Sequence, residues 1–467
     1  MTWLKRIGFH LALVVAILAA QTAQAADTAK TDPLIKKGEY LATAGDCIAC
    51  HTTPGGKPFA GGLLLSTPVG NIVATNITPS KTHGIGDYTL DDFTRAMRQG
   101  VAKDGHYLYP AMPYTAYALV TDEDMAAIYA YFMKAVDPVD ESPPATQLPF
   151  PFNVRVSMAL WNAMFLNNSR YQPDQSRDDL WNRGAYLARG LAHCSTCHTP
   201  RGVTMAEDMS RLLGGEVVGG WFAPNITSDP VSGIGEWTQE EMVAYMKTGR
   251  VEGKSQAAGP MAEAIDHSLR HLTDEDLKAM AIYLKTVPAV SNENASKAAH
   301  TFGSPSHELP TIRGVSLPAN PEQWTGAQLY DAHCATCHLA QGQGSRGLPS
   351  LFHNTALGWD NTNNLVMVIL HGIERQSHGH TMEVVMPAFD DSLSDQQIAT
   401  LSTYVLDHYG NPDTAVTVNQ VEHLRAGDVA GPDLVKIARI AIAAGVLLTL
   451  IVLAVVIVRW RGRQRTP

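Results

Sequence analysis

The sequence predicts a mainly α-helical chain, with three tandem helical domains followed by one C-terminal transmembrane helix. Three observations carry this. The six cysteines fall into three C-x-x-C pairs, Cys47/Cys50, Cys194/Cys197 and Cys334/Cys337. Each pair is followed, later in its own third of the chain, by a helix-capping signal ahead of an apolar run with helical spacing. These signals are Thr121-Asp-Glu-Asp124, Thr273-Asp-Glu-Asp276 and Ser394-Asp-Gln-Gln397. Residues 440–458 form nineteen positions without a charge, with Thr449 the one polar side chain.

The ends set the compartment. Lys5 and Arg6 precede an apolar run over 11–20, and Ala23-Gln24-Ala25 offers a small-x-small site. This is the pattern of a secretory signal peptide cut after Ala25, and the run is short for a membrane span. At ~1.5 Å per residue the nineteen apolar residues near the other end reach across about 30 Å of hydrocarbon. Arg459, Trp460, Arg461, Arg463 and Arg465 follow at once, as expected on the cytoplasmic side of a membrane. The chain between these ends is therefore expected on the periplasmic face of a bacterial inner membrane. The formal charge is −10, and removing Lys5 and Arg6 with the signal makes it −12. So acidic a surface argues against a nucleic-acid partner. About 400 residues between the ends accommodate two to four domains.

A histidine directly follows every cysteine pair: His51, His198 and His338. C-x-x-C-H is the attachment signature of c-type haem. Two thiols on one helical turn reach the two vinyl groups of one porphyrin, and the next residue projects toward the iron. Zinc sites require a second ligand pair at a set distance, thioredoxin-like motifs a βαβ context, and structural disulfides no histidine. None of these accounts for three C-x-x-C-H motifs that use every cysteine. Three cytochrome c domains, each holding one covalent haem c, are the expectation.

The motifs recur 147 and 140 residues apart (47 to 194, 194 to 334), and the first two repeats align closely. Gly38-Glu-Tyr-Leu41 matches Gly184-Ala-Tyr-Leu187. Asn76-Ile-Thr78 matches Asn225-Ile-Thr227, and 84–89 matches 233–238, both offset by 149. The third repeat keeps Gly326-Ala-Gln-Leu-Tyr330 and lacks the Asn-Ile-Thr segment. An opening helix such as 33–44 runs into each motif, and loops rich in Gly and Pro fill the middle. The sixth iron ligand is expected on such a loop. Met112 in Tyr-Pro-Ala-Met-Pro, Met261 in Gly-Pro-Met and Met386 in Val-Met-Pro-Ala-Phe are the candidates, and Met112 and Met261 share the 149-residue offset. An adjacent proline stiffens the loop, and a methionine with a histidine raises the reduction potential. Met97, Met125, Met242, Met246 and Met280 sit at helical positions and read as core. Met382 is the fallback in the third repeat. His378, His380, His193 and His333 read as solvated or locally satisfied. Asn76 and Asn225 have the form of glycosylation sequons, but their repetition points to a structural turn near the haem.

The divisions expected are a signal peptide at 1–25, domains at 33–138, 177–288 and 324–411, and linkers at 139–176, 289–323 and 412–435. The membrane helix follows at 436–458 and the tail at 459–467. Within the first linker, 154–166 reads as a short amphipathic helix packing across the first two domains.

Three C-x-x-C-H domains, the linker Leu148-Pro-Phe-Pro-Phe-Asn153, and Trp181-Asn-Arg-Gly-Ala-Tyr-Leu187 leading to Cys194-Ser-Thr-Cys-His-Thr-Pro200 together resemble one family. This is the tri-haem cytochrome c subunit of membrane-bound bacterial dehydrogenases, which oxidise alcohols, aldehydes, gluconate or related sugars. The resemblance spans nearly the whole mature chain. It implies a separate catalytic subunit carrying pyrroloquinoline quinone, flavin or a molybdenum cofactor, scope for a small third subunit, and one-at-a-time electron passage along three haems to ubiquinone. The single C-terminal span departs from relatives that dock by amphipathic surface helices. No nucleophile elbow, dinucleotide fingerprint or carboxylate dyad appears, so no catalytic residue is assigned. Two other readings remain at this level: an electron donor to a terminal oxidase, and a haem enzyme such as a peroxidase, which needs an open distal position.

Overall fold

A computed structural model describes residues 32–345, 348–375, 384–428 and 433–463. The signal segment, His378, His380, Met382 and Arg465 lie outside the described residues.

Each repeat is organised by one helix crossing. The opening helix Pro33–Ala44 starts where the Asp32 side chain accepts from the Leu34 amide and Pro33 occupies the first turn, where a missing N–H costs nothing. The closing helix Asp122–Lys134 is capped by Thr121, which accepts from the Asp124 amide, and its first turn is acidic, which suits the helix dipole. The two pack tightly because Gly38 sits at the crossing. A Cβ there would lie 1.9 Å from the Ala127 carbonyl oxygen. The second repeat reproduces this with Asp179–Tyr186 against Asp274–Leu284, where a Cβ on Gly184 would lie 1.9 Å from the Ala279 oxygen. In the third, Gly326–His333 crosses Asp395–Tyr409 with Gly326 against Tyr404, and Ser394 and Gln397 form a full capping box.

The offset between the first two repeats is 146 at the crossing glycines (184 − 38) and 147 at the motifs (194 − 47). The extra residue is absorbed in a π-helical turn, Leu187–Leu191, directly before the second motif.

The middle segments are not wholly loop. Four antiparallel two-stranded hairpins occur among the described residues: Leu64–Thr67 with Gly70–Val73, Glu216–Val218 with Trp221–Ala223, Arg250–Val251 with Ser255–Gln256, and Ile373–Arg375 with Val384–Met386. No parallel pair of these strands exists, so the βαβ context of a thioredoxin-like site is missing from the described residues.

The first and second repeats share one continuous core. Leu41, Phe93, Met125 and Phe132 of the first belong to the same cluster as Leu187, Met242, Ile265 and Leu277 of the second. The five methionines read as core, Met97, Met125, Met242, Met246 and Met280, are all buried. The third repeat has its own core around Leu329, Tyr330, Val366, Ile398 and Tyr409. It docks on the second through Trp221, which packs against this core, through the Phe222–Trp359 ring pair at 6.1 Å, and through polar contacts. The Asn364 side chain pairs with the Phe222 backbone in both directions at 2.8 Å, and Arg375 Nη2 donates to Asp266 Oδ1 at 2.8 Å.

The first linker carries the helix Ser157–Phe165. It spans the first two repeats as expected. Trp161 Nε1 donates to the Thr204 carbonyl of the second, while Asn162 donates to the Gln99 carbonyl and accepts from Tyr114 of the first. Val156, Leu160 and Met164 remain exposed. The last helix, Leu434–Arg463, starts before the apolar run and continues past it through Trp460. Leu434 is buried, the apolar side chains from Ile440 on are exposed, and Arg439 Nε donates to the Phe150 carbonyl of the first linker at 3.0 Å.

Candidate haem sites

The chain enters the first two motifs through a left-handed residue. Asp46 (φ 51°) and His193 (φ 36°) each precede the first cysteine. Such a residue breaks the opening helix and starts a new one at an angle. The new helices are Cys47–His51 and Ser195–His198, with Ala335–His338 in the third repeat. One turn separates the two cysteines of each pair, and the histidine closes the turn. None of the six cysteines is tied up in a disulfide. Burial pushes Cys47, Cys50, Cys194 and Cys334 up to about 12, so they are poor thiolates.

The histidines are oriented from behind. His51 Nδ1 meets the Thr75 carbonyl at 2.6 Å, and His198 Nδ1 meets the Pro224 carbonyl at 2.7 Å. A carbonyl acceptor puts the proton on Nδ1 and leaves Nε2 bare for a metal. Burial holds all three histidines below the ordinary value. They are thus neutral donors at physiological pH.

The orienting carbonyls come from a turn that the sequence repeats. Thr75 and Pro224 directly precede Asn76 and Asn225. Asn76 is 4% exposed, and its Oδ1 accepts from the Thr78 amide and hydroxyl while its Nδ2 donates to the Val139 and Glu141 carbonyls. Asn225 Oδ1 accepts from the Thr227 amide and hydroxyl, and Nδ2 donates to Val290. The third repeat lacks Asn-Ile-Thr. There the Pro349 carbonyl draws the His338 pKa upward against burial, but His338 Nδ1 meets no acceptor in hydrogen-bonding geometry. Asn76→Ala strands two carbonyls and the Thr78 amide. It is expected to destabilise the first two repeats by roughly 2–4 kcal/mol. Denaturant unfolding followed in the far ultraviolet checks this, and an unchanged midpoint would refute it.

The three methionines occupy different elements. Met112 lies in a tight turn, with its amide bonded to Tyr109 O at 3.2 Å and its carbonyl accepting from Tyr114 at 2.7 Å. Met261 is not on a loop: it lies in the first turn of Gly259–His267, because Gly259-Pro260 starts a helix. Met386 is not on a loop either. It ends a hairpin strand opposite Ile373, where the β-branched Val384 and Val385 favour an extended backbone. Met112 and Met261 are half-buried against the shared core and Met386 against the third. His193 is not satisfied locally: its ring stands edge-on to Tyr117 of the first repeat at 5.7 Å, while His333 stands edge-on to Phe389 of its own repeat at 5.9 Å.

The donor set fits covalent haem. Each motif offers two unpaired thiols and a histidine, and in the first two motifs that histidine is held by its far nitrogen. Buried polar atoms without partners, Asp46 Oδ1, Thr196 Oγ1 and His338 Nδ1, lie within or beside these motifs. Among the described residues no group of three or more His, Cys, Asp or Glu side chains forms a rival metal site.

Comparison with known proteins agrees. The cytochrome c family model matches residues 35–135, 182–288 and 324–408. The chain is 44% identical to the fructose dehydrogenase cytochrome subunit of Gluconobacter japonicus, over 96% of this chain and 94% of that one. It is 40% identical to the gluconate 2-dehydrogenase cytochrome c subunit of Pantoea cypripedii, over 89% and 94%. It is 37% identical to the cytochrome c subunit of the quinone alcohol dehydrogenase of Gluconobacter oxydans (strain 621H), over 90% and 87%. The chain belongs to the cytochrome c family, among the tri-haem cytochrome subunits of membrane-bound bacterial dehydrogenases. It carries three covalent haem c groups and serves electron transfer. The terminal-oxidase and peroxidase readings are not favoured.

Proposed function

We propose that the chain takes electrons from a separate catalytic dehydrogenase subunit that oxidises a sugar, sugar acid or alcohol, and delivers them to ubiquinone. The haems, when bound, supply one-electron carriers whose potential is set by ligand and surroundings. The residues that hold them are Cys47, Cys50 and His51, Cys194, Cys197 and His198, and Cys334, Cys337 and His338, with Met112, Met261 and Met386 as distal ligands. The domains run over 33–138, 177–288 and 324–411. The chain's own work is to attach the groups, orient the histidines from Thr75 and Pro224, and exclude water with the shared core. The body sits on the periplasmic face, the tail beyond residue 458 lies in the cytoplasm, and a small third subunit completes the complex.

One observation supports this most: three C-x-x-C-H sites joined through packed interfaces on a chain that also carries, within the helix Leu434–Arg463, the exposed apolar stretch 440–458. Purification from detergent-solubilised membranes tests it. Three haems per chain, a co-purifying large dehydrogenase subunit and substrate-driven quinone reduction are expected. Three haems with an oxidase, or with no partner, would overturn the quinone assignment.

A further inference from the structure

The first and second repeats meet in a reciprocal clasp. In the first, Lys37 of the opening helix pairs with Asp124 of the closing helix at 2.8 Å. The second repeat's Tyr186 reaches across and donates to the same carboxylate at 2.6 Å. In the second, Arg183 grips Asp276 with two bonds of 2.7 Å, and the first repeat's Tyr40 donates to Asp276 at 2.6 Å. Each incoming phenol also accepts from the capping threonine amide, Thr121 at 3.3 Å and Thr273 at 3.2 Å. Lys37 and Tyr40 correspond to Arg183 and Tyr186 at the 146-residue offset (183 − 37), and Asp124 to Asp276 at 152 (276 − 124). The two halves are therefore related by a local two-fold. Asp124 and Asp276 are each 7% exposed, so these are hydrogen bonds to desolvated charge.

The same interface carries the two motifs. Tyr117 donates to the Gly45 carbonyl, two residues before Cys47, and its ring meets that of His193, the residue before Cys194. The third repeat shows no clasp among the described residues: Gln397 stands where the aspartate would be, and Gln328, two residues after Gly326, stands where the tyrosine would be and caps its own helix with Thr325.

We propose that Tyr40 and Tyr186 are positioning residues that hold motifs 1 and 2 in the register across which their two sites exchange an electron. In that exchange one iron goes from ferrous to ferric and the other from ferric to ferrous. No bond is made or broken and no proton moves. The inference rests on both motifs carrying haem, which is counted first.

The test is Tyr40→Phe with Tyr186→Phe in the full membrane-bound chain. Phenylalanine keeps the ring and removes the two hydroxyls, each a donor to an aspartate and an acceptor for a threonine amide. Haem content stays at three, and the midpoint potential of each site is unchanged. The sign-split circular dichroism of the Soret band, which reports the mutual orientation of neighbouring haems, loses amplitude. Equilibration between sites 1 and 2 after flash reduction slows roughly tenfold or more, as expected when two reacting centres lose their fixed placement. Exchange with site 3 is unaffected. Three haems with unchanged dichroism and unchanged exchange would overturn the clasp. If the double variant loses haem, each single variant is read the same way, and equal partial slowing in both supports the two-fold arrangement while no slowing in either refutes it. A wild-type chain with fewer than two haems in this region would instead sink the haem assignment.

Discussion

Alanine at Cys334 and Cys337 is expected to leave a folded chain with two covalent haems, whereas alanine at Cys47 and Cys50 is expected to cost more than one. The difference lies in the cores. The third repeat packs around its own cluster, and the second touches it only at the edge, through Trp221, the Phe222–Trp359 ring pair and polar contacts such as Asn364 with Phe222 and Arg375 with Asp266. Loss of its haem removes the centre of that core alone. The first repeat has no separate core: Leu41, Phe93 and Phe132 lie in one cluster with Leu187, Met242 and Leu277. Removing haem from motif 1 opens a large apolar cavity in a structure that the second repeat also depends on. Core cavities of even one side chain cost about 2–5 kcal/mol, and a porphyrin is several times larger. Haem-to-protein ratio under denaturing conditions, with peptide mass spectrometry of each motif, reads the outcome. Electron delivery to quinone is expected to fall more than about 100-fold in both variants, since a carrier missing from a series raises the barrier by at least ~2.7 kcal/mol. Two haems remaining after Cys47/Cys50 replacement, with unaltered stability, would show that the shared core is not a folding unit.

Much of this was legible in the sequence because it is local. Thr121, Thr273 and Ser394 cap closing helices at the positions the capping pattern marks, and the opening helix Pro33–Ala44 has the bounds expected of it. The cysteines and histidines need only a spacing rule. What escaped is set by tertiary contact. Hairpin strands of two to four residues leave too short an alternation to detect. The π-turn at Leu187–Leu191 shows in sequence only as a one-residue slip between repeats. Met261 was expected on a loop from its neighbouring proline, but Pro at the first helical position starts a helix as readily as it stiffens a turn. The turns at Asn76 and Asn225 were visible as a repeat. That they deliver the Thr75 and Pro224 carbonyls to His51 and His198 depends on a chain reversal of 24 or 26 residues. Tyr40 and Tyr186 stood in the Gly-x-Tyr-Leu match, but partners 236 and 62 residues away carry no local signal.

Ending the chain before Leu434 is expected to move it from the membrane to the soluble fraction with all three haems in place. Beyond the buried Leu434 and the Arg439–Phe150 bond the helix Leu434–Arg463 makes little contact with the body, and its apolar residues from Ile440 on are exposed. Residues 440–458 contain thirteen Leu, Ile and Val side chains. At ~0.3–0.6 kcal/mol each for insertion, they favour the bilayer by roughly 4–8 kcal/mol. Little in the body depends on them, so haem content and thermal stability are expected to hold. Reduction of a water-soluble acceptor by the dehydrogenase and its substrate is expected to persist, while reduction of a long-tailed ubiquinone in vesicles falls at least about tenfold, because the donor no longer shares a surface with its acceptor. Flotation of vesicles with the shortened chain reads the first point, and the paired acceptor assays read the second. A second contact is built beside the first: Arg439 reaches the Phe150 carbonyl, and that linker exposes Phe150, Val156, Leu160 and Met164. If the shortened chain still floats with vesicles, replacing Val156, Leu160 and Met164 with serine in that background is expected to release it. Persistence after both changes would place the membrane attachment on a partner subunit and not on this chain.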